Sequence, residues 1–455
     1  MEKFFRLKEN NTDVKTEIMA GITTFITMAY ILFVNPQILS LTGMDQGAVF
    51  TATAIAAAIG TLVMALVANV PYAQAPGMGL NAFFTFTVCM GMQIPWEQAL
   101  AMVFICGLIN ILITVTKVRK MIIEAIPATL QYAISAGIGL FIAYIGFISA
   151  HFLDFTPDSE ASVTGAFSKV VPAIATFTDK NSFLALIGLV IIVVLMILKV
   201  KGAILIGIIA TTLIGIPMGI TQVPTKLVEI QSISPTLLKL DIAGLFANPG
   251  NLFKIFAVIF AFSLTDTFDT IGTFLGTGRK TGIFDEKDEE ALHKGKGFSS
   301  KLDKALFADS TATSIGALLG TSNTTTYVES AAGIAVGGRT GLTSLTTGVL
   351  FILAIVFSPI ALMAPSAATA PALIVVGILM MESVAKIAWE DFEESAAAFF
   401  TIVTMPFAYS ISTGVAAGFI FYVVTKIAKG KAKEVHPIMY IVTLLFILNF
   451  IFSAI

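Results

Sequence analysis

The sequence predicts an all-α protein that crosses a membrane many times, and three observations lead to this fold class. Of its 455 residues, 56% are hydrophobic and only 12% are charged, whereas a soluble domain carries about 25% charged residues. Its mean hydropathy is +0.90. Apolar runs of about 17–25 residues follow one another along the chain, and a helix needs this length to cross a bilayer.

Fourteen of these runs are predicted membrane segments. The first seven cover residues 18–39, 47–69, 77–91, 96–116, 122–150, 183–199 and 202–221. The second seven cover residues 251–276, 303–320, 327–337, 342–363, 366–386, 391–407 and 410–428. They divide the chain into a first half at 1–235 and a second half at 236–436. The apolar stretch 437–455 is left over as an extra C-terminal helix, and the charge pattern does not decide whether it crosses the membrane.

The basic residues predict the orientation of the chain. Most of its 27 lysines and arginines fall in loops on one side if the amino terminus is cytoplasmic, and cytoplasmic loops carry an excess of these residues. The segment Met1–Thr16 is charged and polar, unlike a cleavable signal peptide. The sequence therefore predicts a multi-pass protein of the cell membrane with a cytoplasmic amino terminus.

The sequence shows no pattern typical of an enzyme, a metal site or a cofactor site. Cys89 and Cys106 fall in apolar segments, and the three histidines fall in predicted loops without a partner at metal-ligand spacing. The chain also has no HExxH motif, no GxSxG element facing a histidine and no Walker-type phosphate loop. We therefore expect no catalysis, metal, cofactor or ATP-driven pumping, and no nucleic acid as a partner.

Three stretches of the first half resemble stretches of the second half in the same order. They are 71–79 with 326–334, 127–140 with 371–381, and 202–213 with 413–424. Secondary transporters are often built from such repeats. Because each half contains an odd number of segments, the two halves must have opposite orientations. The sequence therefore predicts a seven-plus-seven inverted repeat.

The third segment of each half is short and follows a piece that is unlike a helix. Pro71 and Pro76 disfavour helix just before them, and the counterpart "TSNTTTY" at 321–327 is rich in β-branched and hydroxyl side chains. Non-helical backbone at membrane depth is tolerated only within protein or beside a water-filled cavity. We therefore expect two extended strands, each leading into a half-helix whose N-terminus carries free N–H groups toward a shared cavity.

The first repeat match places Gln74 opposite Glu329, so that the two side chains would face one site. The alternative is that Gln74 only satisfies backbone groups at the break. Asp266 and Asp269 lie three residues apart on one helix face of the eighth segment. A charge at the bilayer centre costs about 2.5–3.5 kcal/mol on insertion scales, so these acids need cavity water, a partner or a proton. Asp266 could instead brace its helix.

Because an acid that also hydrogen-bonds the solute can couple transport to protons, the residues predict a proton-coupled carrier for a small, flat or polar solute. Asp266, Asp269 and Glu329 are the candidate proton carriers. The rival interpretation is a channel or anion exchanger with the same architecture. Such a protein would be expected to place a basic or neutral polar group at the break, rather than three acids.

Four motifs resemble AzgA-type purine permeases of the nucleobase–cation symporter-2 family. They are "TTFITMAYILFVNPQIL" (23–39), "APGMGLNAFFTF" (75–86), "DTFDTIGT" (266–273) and "TSNTTTYVESAAGI" (321–334). The resemblance extends over nearly the whole chain. It implies a core domain of segments 1–4 and 8–11, a gate domain of segments 5–7 and 12–14, and proton-coupled uptake of purine bases. Hypoxanthine and guanine are the preferred expectation, with adenine as the alternative. Related permeases are often dimers, which is compatible with a homodimer here.

The resemblance also implies where the solute binds. Asp269 occupies the acidic position of the eighth segment, and Glu329 occupies that of the tenth. Phe83, close to the first break, could stack on a purine ring, although a core aromatic is the alternative among 37 phenylalanines. Further polar candidates for the site are Asn81, Thr273 and Ser330.

Overall fold

The computed structural model describes residues 2–116, 125–157, 170–248, 250, 252–284, 288 and 300–454. The first half contains helices α1 (Glu2–Phe5), α2 (Val14–Met28), α3 (Ile31–Ser40), α4 (Gln46–Val63), α5 (Met78–Ala82), α6 (Trp96–Val115), α7 (Ala128–Ser149), α8 (Lys180–Ile197) and α9 (Ala203–Gly215). Its strands are β1 (Gln74–Pro76), β2 (Leu153–Pro157) and β3 (Val170–Ile174). Wider π-helical turns extend α4 through Met64–Ala68 and α5 through Phe83–Gly91.

The second half begins with α10 (Ile242–Leu245), α11 (Leu252–Thr281), α12 (Lys301–Leu319), β4 (Thr324–Thr326) and α13 (Ser330–Val336). It continues with α14 (Gly341–Ala354), α15 (Ser358–Leu362), α16 (Ser366–Met380), α17 (Phe392–Phe407), α18 (Ile411–Ala428) and α19 (Pro437–Ala454). Within the described ranges, eight helical stretches are long and apolar enough to cross a membrane, and shorter apolar helices accompany them. The chain is a multi-pass membrane protein.

The two predicted extended segments form a buried two-stranded sheet. β1 pairs antiparallel with β4, and Gln74 lies opposite Thr326 while Pro76 lies opposite Thr324. All six strand residues are buried, so the backbone groups that leave the helices are satisfied by the partner strand rather than by lipid. Each strand leads directly into a short helix, α5 or α13. The prediction of two half-helices preceded by strands is confirmed.

The structure corrects the residue-level alignment of the first repeat match. The residue that precedes α13 is Glu329, and the residue that precedes α5 is Gly77. Gln74 lies three residues earlier, within β1. Gln74 and Glu329 therefore do not occupy equivalent positions, because the motif match rested on similar small residues rather than on the positions where the strands and helices begin.

Several predicted segments are interrupted in the structure. The first segment, predicted as 18–39, is divided between α2 and α3 around Ala29 and Tyr30. The segment predicted as 342–363 consists of α14 and α15. The start of the segment 122–150 and the basic residues 117–120 lie outside the described residues. The C-terminal stretch forms α19, which packs against α18 and α11.

The helix ends define two faces of the molecule. On the first, called the amino-terminal face, Asn69 donates to the Phe5 carbonyl at 3.1 Å, and the Tyr72 and Thr277 hydroxyls lie 2.7 Å apart. The C-terminal end of α11 therefore lies on the same face of the molecule as the amino-terminal helix α1. The distal face carries Ser40, at the end of α3, and the start of α4.

Small residues set the spacing between packed helices. Gly139 in α7 and Gly377 in α16 face each other, since a Cβ on Gly139 would lie 2.9 Å from the Gly377 carbonyl. Gly107 in α6 contacts Ser314 in α12 in the same way. Close approach of helix backbones through glycine is typical of membrane packing, where lipid gives no hydrophobic drive between helices.

A charged cluster joins α17 to the end of α18. The Glu393 carboxylate, itself buried, accepts hydrogen bonds from Lys429 and from Lys431, the latter at 2.7 Å. Lys426 lies 3.1 Å from Glu394. The hydrogen bond to Glu393 raises the pKa of the Lys429 ammonium. These ion pairs connect the last two helices of the predicted gate domain, although the division into core and gate stays a prediction.

Candidate functional site

Asp269 faces an open cleft from the middle of α11. It is exposed, and so is Gly272, three residues further on the same helix face. A Cβ at Gly272 would meet no atom within 4 Å. By contrast, the six residues 261–266 are all buried, and six residues cover the full circumference of a helix. The cleft therefore opens beside the C-terminal half of α11, toward the amino-terminal face.

Glu329 lies at the start of the half-helix α13 and is partly accessible. The Tyr30 hydroxyl donates to Glu329 Oε1 at 2.6 Å, and the Thr27 hydroxyl donates to the Glu329 carbonyl at 3.4 Å. Its neighbour Val328 is 54% exposed. The interruption between α2 and α3 thus places Tyr30 where it orients the Glu329 carboxyl. Thr270, the neighbour of Asp269, hydrogen-bonds Thr325 in β4, and β4 leads on to Glu329, so the two carboxyls lie on elements that contact each other.

Arg339 does not neutralise Glu329. Its guanidinium donates from Nη1 to the carbonyls of Ile334 and Gly338, each at 2.7 Å, and so it caps the C-terminal end of α13. The Arg339 N–H donates to the buried Glu17 carboxylate at 2.9 Å. Among the described side chains, the close partner of the Glu329 carboxyl is thus the Tyr30 hydroxyl rather than the Arg339 guanidinium.

A second group of carboxyls is buried next to the strands β1 and β4. Asp266 Oδ2 accepts hydrogen bonds from Asn110 and Thr313, each at 3.1 Å. Asp309 Oδ1, in α12, accepts from Thr326 at 2.7 Å and from Gln74 at 3.3 Å. Both residues are buried. The interaction of their charges makes the two aspartates a second carboxyl pair, closed off from the cleft.

The strand β4 lies between the two carboxyl pairs. The Thr270 hydroxyl on α11 hydrogen-bonds the Thr325 hydroxyl at 2.8 Å, and the Thr313 hydroxyl donates to the Thr324 carbonyl at 2.9 Å. The Thr313 hydroxyl also donates to the buried Asp266. These hydroxyl contacts hold β4 against α11 and α12 beside the buried aspartates.

Several buried polar atoms around these aspartates have no hydrogen-bond partner. They are Oδ1 of Asp266, Oε1 of Gln74, Oδ1 of Asn323, Oγ1 of Thr324 and Nδ2 of Asn81. Buried polar atoms are usually satisfied, and exceptions are typical of functional sites or of bound water. A bound water or a proton would satisfy these atoms.

The other predicted site residues are buried away from the cleft. Gln74 binds Asp309, the Ser330 hydroxyl accepts from the Ala73 N–H at 3.0 Å, and Asn81 accepts from Ser322. The Phe83 ring packs on Phe262 with centroids 4.6 Å apart. Thr273 is 7% exposed. In this conformation these five side chains support the strands and half-helices, while Asp269 and Glu329 carry the accessible surface.

Two participants were missed from the sequence. Asp309 lies in the predicted segment 303–320, where its charge within an apolar run could have revealed it by the argument used for Asp266. Tyr30 had no such signal, because a tyrosine in a membrane helix is ordinary. Within the described part of the chain, no group of three or more His, Cys, Asp or Glu side chains could hold a metal ion.

The model of the Permease family matches residues 15–417 of the chain. This chain belongs to the Permease family. The permease is 42% identical over 464 residues to the guanine/hypoxanthine permease PbuG of Bacillus subtilis, covering 99% of this chain and 100% of the relative. It is 41% identical over 452 residues to the adenine permease AdeP of Escherichia coli, covering 99% and 96%. The resemblance carried by the four motifs is confirmed, and the permease is not an enzyme.

Solved structures confirm the fold of the permease. The transmembrane domain of a cyanobacterial bicarbonate transporter, BicA, matches with a TM-score of 0.63 at 16% identity, covering 88% of this chain and 97% of that one. The murine anion transporter Slc26a9 matches with a TM-score of 0.61 at 10% identity, covering 91% and 68%. The permease has their seven-plus-seven inverted-repeat fold. At such identities the likeness concerns the fold and not the solute.

Proposed function

We propose that this permease imports purine nucleobases together with protons, with hypoxanthine and guanine as the preferred solutes. The observation that carries the proposal is the cleft in which Asp269 and Glu329 are the accessible predicted site residues. The names of PbuG and AdeP support a purine as the solute. Adenine is the alternative, since the two relatives are almost equally similar to this chain.

The chemistry of the cleft fits a planar base that carries N–H groups. An ionised carboxylate only accepts hydrogen bonds, and hypoxanthine and guanine present N–H donors on both rings. The N–H groups of Ser330, Ala331 and Ala332 at the start of α13 already donate to the carbonyls of Tyr327, Val328 and Glu329, so the carboxyls are the groups that we assign to the solute. Adenine, with an amino group at C6, also offers N–H groups to these acids. Our preference for the oxopurines therefore follows the family resemblance.

The proposed coupling follows from the uncompensated carboxyls. Among the described side chains, no cation forms an ion pair with Asp269 or Glu329, and enclosing these carboxyls without water is costly. A proton on one of them lowers this cost when the cleft closes around a neutral base. The buried pair of Asp266 and Asp309 offers a second place for the proton. Transport of an anion is disfavoured, because the same carboxyls would repel it.

The movement that we propose for transport uses the predicted division of the chain. The core of segments 1–4 and 8–11 carries both carboxyl pairs, and it moves against the gate of segments 5–7 and 12–14. We place the protein in the cell membrane with the amino-terminal face toward the cytoplasm, as the basic residues predict. The open cleft then corresponds to a conformation that releases the solute into the cell.

Uptake of radiolabelled hypoxanthine into cells that lack purine permeases tests the proposal. We expect uptake that a protonophore abolishes and that excess guanine or hypoxanthine inhibits more strongly than adenine, while uracil has little effect. Cells with the empty vector give the background. Uptake that continues unchanged without a proton gradient would contradict the coupling, and equal inhibition by uracil would contradict the choice of purines.

A further inference from the structure

The distal half of the molecule is closed around the first segment. Residues 28–32 are all buried, as are residues 34–36. The buried residues 261–266 close α11 on the same half, while the exposed Asp269 and Gly272 lie toward the amino-terminal face. This half is therefore packed more closely than the half toward which the accessible face of Asp269 lies. For transport, a contact must hold the helices of this half together and then break.

Gln37 makes the polar contact across this closed half. Its Nε2 donates to the Ala364 carbonyl, and its Oε1 accepts from the Thr369 hydroxyl. Gln37 lies seven residues beyond Tyr30, about 10 Å along the first segment. Ala364 lies in the linker between α15 and α16, and Thr369 lies in the first turns of α16. Both functions of the Gln37 amide are thus used to join the first segment, in the proposed core, to the twelfth, in the proposed gate.

A cavity of about 630 Å³ lies on the distal side of this contact. The polar residues of its wall are Gln37, Ser40, Gln46, Gln222 and Ser366, and the rest of the wall is apolar and includes Ile220, Leu362 and three prolines. Amide and hydroxyl groups of this kind hydrogen-bond a neutral polar solute and do not demand a counter-ion. The cavity has the place and the lining expected of a vestibule on the side from which the cleft is closed.

We propose that Gln37 and Thr369 form the latch that closes the permease on its distal face, and that this cavity is the vestibule outside the latch. When the latch breaks, the twelfth segment separates from the first, and the vestibule joins the carboxyl site. When it forms, the solute can leave only through the cleft beside Gly272. The inference rests on the proposed transport function, because it assigns Gln37 to the opening step of that function.

Cysteine labelling tests the latch without any solute. Gly272→Cys is the reporter, since its side chain would enter open space in the cleft. A membrane-impermeant thiol reagent is applied to intact cells and to inside-out vesicles, and the labelling rates from the two sides are compared. The native Cys89 and Cys106 are buried, so the parent protein without the reporter gives the background.

Thr369→Val and Thr369→Ser form a matched pair for this test. Valine removes the hydroxyl donor while keeping the shape, and serine keeps the donor. We expect Thr369→Val to raise the rate of labelling from the distal side about two- to tenfold and to lower the rate from the amino-terminal side, as loss of one net hydrogen bond would. Gln37→Ala should act in the same direction, and Thr369→Ser should match the parent.

Two results would overturn the proposal that Gln37 and Thr369 form a latch. One is an unchanged ratio of the two rates in Thr369→Val, and the other is an equal shift in Thr369→Ser. If Gln37→Ala fails to fold, the comparison of Thr369→Val with Thr369→Ser still tests the proposal. The labelling result does not depend on which solute is carried. If the permease takes up no purine but the ratio of the labelling rates shifts in Thr369→Val, only the transport proposal is contradicted. If the permease takes up purine normally but this ratio does not shift, only the latch proposal is contradicted.

Discussion

At the scale of single residues, two pairs of carboxyls serve different purposes. Asp269 and Glu329 have accessible surface, and only Glu329 has a close side-chain donor, Tyr30. Asp266 and Asp309 are buried, and each accepts two hydrogen bonds from neutral side chains. An accessible acid is available to a solute, whereas a buried acid is available only to a proton or a bound water.

Neutral substitutions of the acids should separate these purposes. Asp269→Asn should lower purine uptake by about 10–100-fold, the range for losing a hydrogen bond to a charged group. Asp266→Asn should have a milder effect, because its neighbours still surround a side chain of the same shape. Initial uptake rates, normalised to protein in the membrane, measure both. If Asp266→Asn were the more damaging change, the roles of the two aspartates would be exchanged.

The acids are also where sequence reasoning was most informative. A carboxyl within an apolar run is expensive, so Asp266, Asp269 and Glu329 stood out without any structure. Polar but uncharged residues gave no comparable signal. Gln74, Asn81 and Ser330 lie near the break in the sequence, but hydrogen bonds from distant segments decide that they turn into the core, and those partners cannot be read from one segment.

At the scale of elements, the apolar runs predicted most helices, while their interruptions came from tertiary pairing. The strands β1 and β4 exist because each satisfies the backbone of the other, and the hydroxyl-rich segment before Tyr327 indicated this. The break at Ala29 and Tyr30 had no such marker. It forms where the first segment passes Glu329, and it is specified by that contact rather than by local propensity.

Glycine substitutions test the packing of these elements. Gly107→Ala should cost about 1–3 kcal/mol of stability, because overpacking a close contact strains both helices. The new Cβ would meet the side chain of Ser314 and lie 2.7 Å from its backbone N. Thermal unfolding of the detergent-solubilised protein measures the loss.

The matched control is Gly272→Ala. Here the new Cβ has no neighbour within 4 Å, and alanine in a helix interior is more favourable than glycine by about 0.5–1 kcal/mol. The melting temperature of Gly272→Ala should therefore be unchanged or slightly higher. Equal destabilisation by the two substitutions would mean that α6 and α12 do not approach as closely as the structure indicates.

At the scale of the whole molecule, the inverted repeat explains why the site lies where it does. Each half contributes one strand and one half-helix, and the strands meet near the centre of the fold. The parity of the predicted segments was enough to predict opposite orientations of the halves. It could not predict the alignment of the two breaks, in which Gln74 lies within β1 while Glu329 lies next to α13. Both accessible carboxyls, Asp269 and Glu329, come from the second half.

The central claim is that a purine binds at Glu329, and equilibrium binding of radiolabelled hypoxanthine to the purified permease tests it most directly. Glu329→Gln should weaken binding by about 10–100-fold, since it removes a charged hydrogen-bond acceptor. Asp309→Asn, in the buried pair, should retain binding while impairing proton-driven accumulation in vesicles. Unchanged affinity in folded Glu329→Gln protein would contradict the account.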